Sequence, residues 1–446
     1  MVKMDRIYEY LKNGDYALVQ REIQNFHIAD IAEIINKLED KDLIIVFRLL
    51  NKDIAAEVFA NLDRNKKIRI VDSIKLDELH PIIDELHLDD KVDLLEELPA
   101  NVVKNILRYS DSHERNLINQ FLNYKEDSAG SIMTIEYISL KPQMTVEDSL
   151  LYIRKNGLDK ETIYNCYVLG PNKKLIGVVS LRELVTANRD VLIDDLMSED
   201  IIFVHTDTDQ EEVADVFSKY DLSALPVVDT ENRLTGIVTF DDILHVMEQE
   251  TTEDFHIMAS MTPSEGGYLS ETPFKLAMDR VIWLVVLLIS GIFVGNIIEN
   301  YNWILLQYLV LNSFIPMITG AGGNSGIQSS TLAVRNISLG EITFDDKWNV
   351  VAKEFQVGLI VGGIMGVFSF VKVLLIDRVS LDIGLVVALT MFASILVAKV
   401  FGGLIPILAD KVNIDPAIMS SSIITTLVDA VALAIYFTIA AMILPI

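Results

Sequence analysis

The spacing of apolar residues along the chain changes from short periodic runs to long continuous ones near residue 280. Between residues 20 and 125, runs such as IADIAEIINKLED and DDKVDLLEELP place apolar side chains three or four positions apart. This spacing predicts short amphipathic helices. Because the runs recur at intervals of roughly 12–15 residues, they favour a small helical bundle or solenoid.

Beyond residue 280 the apolar residues form runs long enough to cross a bilayer. The stretches 281–298 and 300–334 contain no charged residue, and further candidates lie at about 355–375, 383–408 and 416–444. One such run could be a buried core helix, but five in succession predict five membrane spans. The stretch 300–334 is long for one span, so we expect an irregular or tilted extension there.

An internal repeat lies between these two regions, at residues 128–250. SIMT at 131–134 recurs as DLMS at 195–198, and TVEDSLLYIRK at 145–155 recurs as DQEEVADVFSK at 209–219. Each copy predicts a strand, a helix, two strands joined by a turn and a second helix. After the second copy, DDILHVMEQETTEDFHIM predicts an amphipathic helix that leads towards the first span.

Charge divides the chain at the same position as hydropathy. The 446 residues carry a net charge of −27, and Val281 onwards contains only ten of the 64 acidic and seven of the 37 basic residues. The first 280 residues therefore hold 54 acidic and 30 basic residues, a net charge of −24. Such an acidic surface argues against nucleic acid and suits cations. The single cysteine, Cys166, excludes an intramolecular disulfide framework.

The N-terminal residues and the loop charges predict on which side of the membrane the N-terminal half lies. The first residues contain no apolar signal-peptide core. Arg335, Lys347 and Lys353 lie between the second and third predicted spans, which favours an inside N terminus. We therefore expect the acidic N-terminal half to be cytoplasmic.

The segment PMITGAGGNSGIQSS, at 316–330, contains four glycines between positions 320 and 326. Glycine weakens a regular helix, and an irregular segment at membrane depth lines a cavity or is buried in protein. Its freed carbonyl groups could then coordinate a cation. The alternative is close helix packing through a glycine face. If the segment stays helical, Asn324 and Gln328 share one face.

Asp429 is an acidic residue within the last apolar run. It follows Asp415 by 14 residues, which is roughly 21 Å along a helix. A carboxylate at that depth indicates a functional site, although a protonated structural Asp is an alternative. Ser422, Thr425 and Thr426 place hydroxyl groups on or near the same face. One carboxylate with hydroxyl and carbonyl oxygens suits hydrated Mg²⁺, and two-fold pairing of subunits would supply a second carboxylate.

The repeat resembles a tandem pair of CBS domains, because both copies end in a family-like motif. These endings are GVVSLRE at 177–183 and GIVTFDD at 236–242. The resemblance implies an α+β fold and a site for an adenine nucleotide such as ATP. By position in the motif, Thr239 and Asp242 would hold the ribose, with Pro226 beside the cleft. The alternative is an acidic scaffold without a nucleotide.

The whole chain resembles the MgtE family of magnesium channels, through PMITGAGGNSGIQ and DPA…TTLVDAVAL at 415–433. The resemblance implies a multidomain fold with a mainly α-helical membrane part, a homodimer in the lipid of the cytoplasmic membrane, and Mg²⁺ import without enzymatic activity. The expected parts are an acidic helical N domain (1–127), tandem CBS domains (128–240, in copies of about 128–190 and 191–250), a connecting plug helix (241–270) and a five-helix transmembrane domain (271–446).

The resemblance also implies roles for particular residues, with cytosolic Mg²⁺ closing the pore by binding to acidic sensor groups. The pore metal residues would be Asp429, Thr425 and Ser421, and the pore lining Gly322, Gly323, Asn324 and Gln328. The sensor residues would be Asp209, Glu211, Asp221, Glu250, Glu253 and Asp254, with Glu57, Asp89 and Asp90 in the N domain. His245 and Ser421 depart from the family's pattern. The ordinary alternative for such acidic runs is a solvated face.

Three other functions fit parts of the sequence. A secondary transporter could couple Mg²⁺ to Na⁺ or H⁺ through a broken helix. An intramembrane aspartyl hydrolase would need two facing acids, whereas the sequence places only Asp429 at mid-depth. A nucleotide-sensing regulator with a passive membrane anchor would need no buried Asp. The sequence leaves open the permeation of Co²⁺, Mn²⁺ or Ni²⁺ and the concentration at which the pore closes.

Overall fold

A computed structural model describes residues 2–98, 100–110, 112–263, 268, 271–419 and 422–445. Within these ranges the side chains of residues 2–5, 76, 77, 97, 100, 101, 105, 108 and 109 are not described. The chain forms two compact units, Met1–Met247 and Glu248–Ile446.

The first unit begins with short helices, as the periodic apolar pattern predicts. In IADIAEIIN, for example, Ile31, Ile34 and Ile35 are buried at helical spacing. Burial of such faces drives these helices to pack together. The helices are Val2–Asn13 (α1), Tyr16–Ile23 (α2), Ile28–Asn36 (α3), Asp40–Leu49 (α4), Lys52–Ala60 (α5), Arg64–Ser73 (α6), Leu76–Ile83 (α7), Leu88–Glu97 (α8), Ala100–Tyr109 (α9) and Ser112–Phe121 (α10).

The repeat follows as two copies of one α+β arrangement, each around a three-stranded sheet. In each sheet the first strand pairs parallel with the second, which pairs antiparallel with the third. The first copy contains Ile138–Leu140 (β1), Val146–Asn156 (α11), Asn165–Leu169 (β2), Leu175–Ser180 (β3) and Leu181–Thr186 (α12). The second contains Ile193–Leu196 (α13), Val204–His205 (β4), Gln210–Tyr220 (α14), Ala224–Val228 (β5), Leu234–Thr239 (β6) and Phe240–Met258 (α15).

The two copies exchange the segments that precede them. Thr134, at the end of SIMT, exchanges backbone hydrogen bonds of 2.8 Å with Ile237 in the second copy. Ser198, at the end of DLMS, exchanges bonds of 3.0 and 2.9 Å with Val178 in the first. The repeat in the sequence is therefore a structural pair, as predicted. The predicted amphipathic helix after the second copy is α15, and the division between the two units falls within it.

The second unit is helical and apolar. Its elements are Pro273–Asn300 (α16), Asn302–Gln307 (α17), Ile315–Ser338 (α18), Lys347–Leu375 (α19), Leu381–Lys411 (α20) and Ser422–Ile443 (α21), with 3₁₀ turns at Leu309–Phe314, Phe344–Asp346 and Pro416–Met419. Among the described residues, four helical stretches are long and apolar enough to cross a membrane: Pro273–Asn300, Phe344–Leu375, Leu381–Lys411 and Pro416–Ile443. The 24-residue α18 is not among them, so the count of five spans stays a prediction.

The expected break at the glycine-rich motif is wrong, because α18 is continuous from Ile315 to Ser338. Pro316 lies in its first turn, where the missing N–H costs no helical hydrogen bond. The irregularity falls earlier, in α17 and the 3₁₀ turn that follows. The glycines remain helical because α18 packs closely against α20 and α21. Packing therefore outweighs the weak helix propensity of glycine.

Candidate functional site

The carboxylate of Asp429 lies against the backbone of the glycine-rich helix. A methyl group added at Gly323 would lie 2.9 Å from Thr425 Cγ2 and 3.6 Å from Asp429 Oδ1. Such an approach leaves no space for a side chain at position 323. Gly322 is buried one position earlier, where an added methyl group would lie 3.2 Å from Val428 Cγ1. The structure therefore brings together four of the predicted residues, Asp429, Thr425, Gly322 and Gly323.

Asp429 Oδ1 is a buried oxygen that accepts no hydrogen bond from the described part of the chain. A buried polar atom without a partner costs free energy, and a carboxylate oxygen in this state can be satisfied by a cation or by water around a cation. The hydroxyl of Thr426 instead donates to the Ser422 carbonyl at 3.0 Å. Ser421, also predicted at this site, lies outside the described residues.

Asn324 and Gln328 lie on one exposed face of α18, as helical spacing requires. Gln328 Oε1 accepts a hydrogen bond of 3.0 Å from Lys399 Nζ. Lys399 lies within the predicted span 383–408, and sequence reasoning missed it together with Glu354 on α19. A single charge within a long apolar run changes the mean hydropathy little, and that charge was the only available signal.

A second group of acids lies where α15 ends, within the second unit. Burial, together with repulsion from Asp415 and Glu250, raises the pKa of Asp254 to about 6, while Arg335 opposes these effects. This arrangement favours a cation at neutral pH. Glu250 and Asp254 were predicted as sensors and lie close together, whereas Glu253 is exposed on α15. Asp415 is an addition that the sequence did not single out.

The segment just after α15 contacts the start of α21. The hydroxyl groups of Ser260 and Ser422 share a hydrogen bond of 2.6 Å. Ser422 is the first residue of α21 and precedes Asp429 by seven positions. A change at the end of α15 can therefore reach the helix that carries Asp429.

A third acidic group lies within the first unit, around the start of α8. Burial raises the pKa of Asp89 well above its usual value, and repulsion from Asp90, Asp242 and Glu161 adds to this effect. Asp89 Oδ1 is buried without a hydrogen-bond partner among the described residues. Burial likewise raises the pKa of Asp90, of Glu161 and of Asp242. Several carboxylates that repel one another can be stabilised by a bound cation.

His87 lies beside these acids and forms a possible metal-binding group with Glu136 and Glu161. One ligand atom from each residue lies within 4.8 Å of the others. His87 Nδ1 hydrogen-bonds to Glu136 and lies 3.3 Å from Glu161 Oε2. The hydrogen bond to Glu136 raises the pKa of His87 to about 9. The protonated ring of His87 therefore offsets part of the local negative charge. Asp89 and Asp242 remain available to bind a metal cation.

Sequence reasoning missed Glu136, Glu161 and His87. Glu136 precedes β1 and Glu161 precedes β2, and the two backbones share a 2.9 Å hydrogen bond from Glu161 N to Glu136 O. Because β1 and β2 are parallel neighbours, residues before them meet at one edge. The pairing of β1 with β2 was the feature that could have indicated that Glu136 and Glu161 lie close together.

The remaining predicted sensors of the first unit are exposed. Asp209 caps α14, its Oδ1 accepting from Glu211 N at 3.1 Å. Asp221 ends the same helix with a left-handed backbone, φ 51°. Glu57 is exposed on α5, and within the described residues it is not part of the acidic group around Asp89. His245, the departure noted in the sequence, is exposed on α15.

The predicted nucleotide residues lie close together at the end of β6. The Thr239 hydroxyl hydrogen-bonds to Asp242 at the start of α15. Pro226 is buried in β5, which pairs with β6. The first copy has the same local arrangement, in which Ser180 Oγ donates to Glu183 Oε2 at 2.7 Å. Both pairs act as helix caps, and Asp242 also faces the acidic group around Asp89.

Comparison with protein families matches most of the chain. A model described as the MgtE divalent cation transporter matches residues 315–439. The MgtE intracellular N domain matches 26–127, and the CBS domain matches 129–190 and 193–249. The helical N-terminal domain, the CBS pair and the apolar helical C-terminal region predicted from the sequence are thus confirmed. None of these three models describes a catalytic family.

Individual relatives are similar over long stretches. The magnesium transporter MgtE of Thermus thermophilus is 34% identical over 98% of both chains. The magnesium transporter MgtE of Enterococcus faecalis is 38% identical over 74% of this chain and 72% of its own. A crystal structure of the cytosolic domain of the Mg²⁺ channel MgtE in complex with ATP is 36% identical, with a TM-score of 0.52, and covers 55% of this chain and 99% of that one.

Proposed function

The chain belongs to the MgtE family of divalent cation transporters, and we propose that it imports Mg²⁺ across the cytoplasmic membrane through a channel beside Asp429. Its family and its long apolar helices make it a multi-pass membrane protein. Mg²⁺ is the substrate because the relatives that match nearly the whole chain are named magnesium transporters.

The observation that carries this proposal is the buried Asp429 Oδ1, which lies next to Gly323 and has no hydrogen-bond donor among the described residues. An ionised carboxylate in an apolar helix is unfavourable unless something compensates it. Magnesium is a hard cation that keeps several of its waters. One carboxylate therefore suits a hydrated Mg²⁺, whose waters can donate to Oδ1 and to nearby Thr425.

The arrangement in the membrane forms part of the same proposal. Helices α16, α18, α19, α20 and α21 would be the five spans, with the N-terminal domains cytoplasmic. A homodimer would place two Asp429 carboxylates near one axis. The exposed polar face of α18, with Asn324 and Gln328, supports a path or a subunit contact there, because lipid offers no hydrogen-bond partner to the exposed amide groups.

Cytosolic Mg²⁺ would close the path by binding to the acidic groups. Glu250 and Asp415 both repel Asp254, and a bound cation would remove that repulsion. The segment that follows α15, the proposed plug, contacts α21 through Ser260 and Ser422. Bound Mg²⁺ would then favour the state in which this contact holds, to the extent that its affinity differs between the two states. The acids around Asp89 would provide further sensor sites.

ATP is the proposed ligand of the CBS pair. A related cytosolic domain has been crystallised with ATP, and Thr239 and Asp242 lie together at the end of β6. Because Asp242 also belongs to the acidic group around Asp89, nucleotide binding and Mg²⁺ binding would influence one another.

The test is Mg²⁺ uptake into proteoliposomes that contain the purified full-length protein. Asp429→Asn should reduce uptake about tenfold or more at equal protein, because it removes the charge that holds the cation. Asp382→Asn is the matched control, since Asp382 is an exposed acid at the start of α20. Uptake by Asp429→Asn at the wild-type rate would overturn the proposal. Uptake that required a Na⁺ or H⁺ gradient would indicate a coupled transporter and not a channel.

A further inference from the structure

Lys399 is a buried basic residue within the apolar helix α20. Its exposed fraction is 5%, and α20 is 31 residues long and apolar enough to cross a membrane. Lys399 follows the start of the helix by 18 residues and precedes its end by 12. An ionisable group within such a helix is unfavourable without a partner, and its partner indicates its role.

Two neighbouring residues of α18 are held from two different helices. Lys399 Nζ, on α20, donates to Gln328 Oε1 at 3.0 Å. Ser329 Oγ donates to Glu354 Oε2, on α19, at 2.6 Å. Glu354 also interacts electrostatically with Lys399. The acid and the base therefore compensate each other while each fixes one polar side chain of α18.

The close approach of α18 and α20 brings Lys399 within reach of Gln328. A methyl group added at Gly402 would overlap the carbonyl oxygen of Gly326 and lie 3.0 Å from Ser329 Cβ. At the next position, an added methyl group on Gly403 would lie 2.9 Å from Glu354 Cγ. Two glycines of α20 thus make room both for the backbone of α18 and for Glu354.

The hydrogen bond also determines how the Gln328 amide is oriented. Lysine has donors and no acceptor, so the amide oxygen must face Lys399 and the amide nitrogen is directed elsewhere. Gln328 is exposed on the face that also carries Asn324. Its fixed N–H groups are therefore available to water on that face.

We propose that Lys399 is a positioning residue of the transport path, which fixes the Gln328 amide on the exposed face of α18 where it orders the water that accompanies the cation. This inference rests on the proposed Mg²⁺ path beside Asp429. Glu354 neutralises Lys399 and, through Ser329, holds the next residue of the same helix. The simpler alternative is an ion pair that only stabilises the fold.

Two variants separate the alternatives. Lys399→Met with Glu354→Gln removes both charges, so no uncompensated charge stays buried, but it also removes the donor to Gln328. Gln328→Leu removes only the acceptor and leaves the Lys399 and Glu354 charges in place. Gln307→Leu is the matched control, because Gln307 is exposed at the end of α17, outside the network.

The measurements are the dependence of proteoliposome uptake on Mg²⁺ concentration and the melting temperature of the full-length protein in detergent. We expect Gln328→Leu and the double variant to raise the KM for Mg²⁺ about fivefold or more, with melting temperatures near wild type. The single variant Lys399→Arg keeps a hydrogen-bond donor, so its KM should stay within about twofold of wild type.

Other results would overturn the inference. If Gln328→Leu has the wild-type KM, Lys399 has no positioning role, whether or not the double variant folds. If the double variant transports like wild type while Lys399→Met alone melts early, the pair only stabilises the fold. If instead the proposed Mg²⁺ path beside Asp429 is wrong, Asp429→Asn will take up Mg²⁺ at the wild-type rate.

Discussion

The hydroxyl groups of Ser260 and Ser422 share a hydrogen bond of 2.6 Å, which joins the segment after α15 to the first residue of α21. If this contact helps to hold the closed state, Ser260→Ala should leave more uptake at high internal Mg²⁺. The expected change is a residual flux about two- to tenfold above wild type, since one neutral hydrogen bond contributes about 0.5–1.5 kcal/mol. Uptake into liposomes preloaded with Mg²⁺ measures it.

The control for this prediction is Ser290→Ala. Ser290 donates to the Val286 carbonyl of its own helix, and within the described part of the chain it is not hydrogen-bonded to a second element. Equal residual flux in Ser260→Ala and wild type would mean that the contact does not contribute to closure.

Asp254 should make the Mg²⁺-free protein less stable and the Mg²⁺-bound protein more stable. Burial, Asp415 and Glu250 raise the pKa of Asp254 to about 6, so its ionised form is unfavourable at pH 7.5 without a cation. Asp254→Asn should therefore melt above wild type in a chelator. With Mg²⁺ the wild type gains stability by ligand binding, and the variant should gain less.

Melting curves in a chelator and in millimolar Mg²⁺ check this prediction, with Asp382→Asn as the control for loss of one acidic charge. An equal Mg²⁺-induced shift of the melting temperature in wild type and Asp254→Asn would show that Asp254 is not a sensor residue.

Glu161 should contribute to the cation sensitivity of the first unit. Its carboxylate lies 3.3 Å from His87 Nδ1 and interacts with Asp242. Glu161→Gln should therefore raise the Mg²⁺ concentration that protects the full-length protein from protease, by about threefold or more if one cation ligand is lost. Glu199→Gln, at an exposed position, is the control. If both variants require the same Mg²⁺ as wild type, Glu161 is not a cation ligand.

Much of the fold could be predicted because its signals are local. Short amphipathic periods indicated the N-terminal helices, and the 64-residue repeat indicated the paired sheets. Asp429 was recognisable because one acid in a long apolar run is unusual. Its proximity to Gly323 followed only from the fold, since the two residues are 106 positions apart.

The missed residues depend on contacts between distant segments. Glu136 and Glu161 meet because β1 and β2 are parallel neighbours, and His87 reaches them from the position just before α8. Lys399 was hidden because one charge barely changes the hydropathy of a 31-residue helix. The break expected in α18 was wrong, and the alternative of close packing through a glycine face describes the helix, because α18 packs against α20 and α21.

Gly402 provides the test of that packing. A methyl group there would overlap the carbonyl oxygen of Gly326, and backbone atoms cannot move aside as a flexible side chain can. Gly402→Ala should destabilise the protein by about 1–3 kcal/mol, as overpacking typically does, and should displace α18 from Lys399. Gly363→Ala, on α19, meets nothing within 4 Å, so it should be neutral or slightly stabilising because alanine is the better helix former. Thermal unfolding of the two variants in detergent compares them directly. Equal melting temperatures would show that α18 and α20 do not approach as closely as the structure indicates, and the contact between Lys399 and Gln328 would then lose its basis.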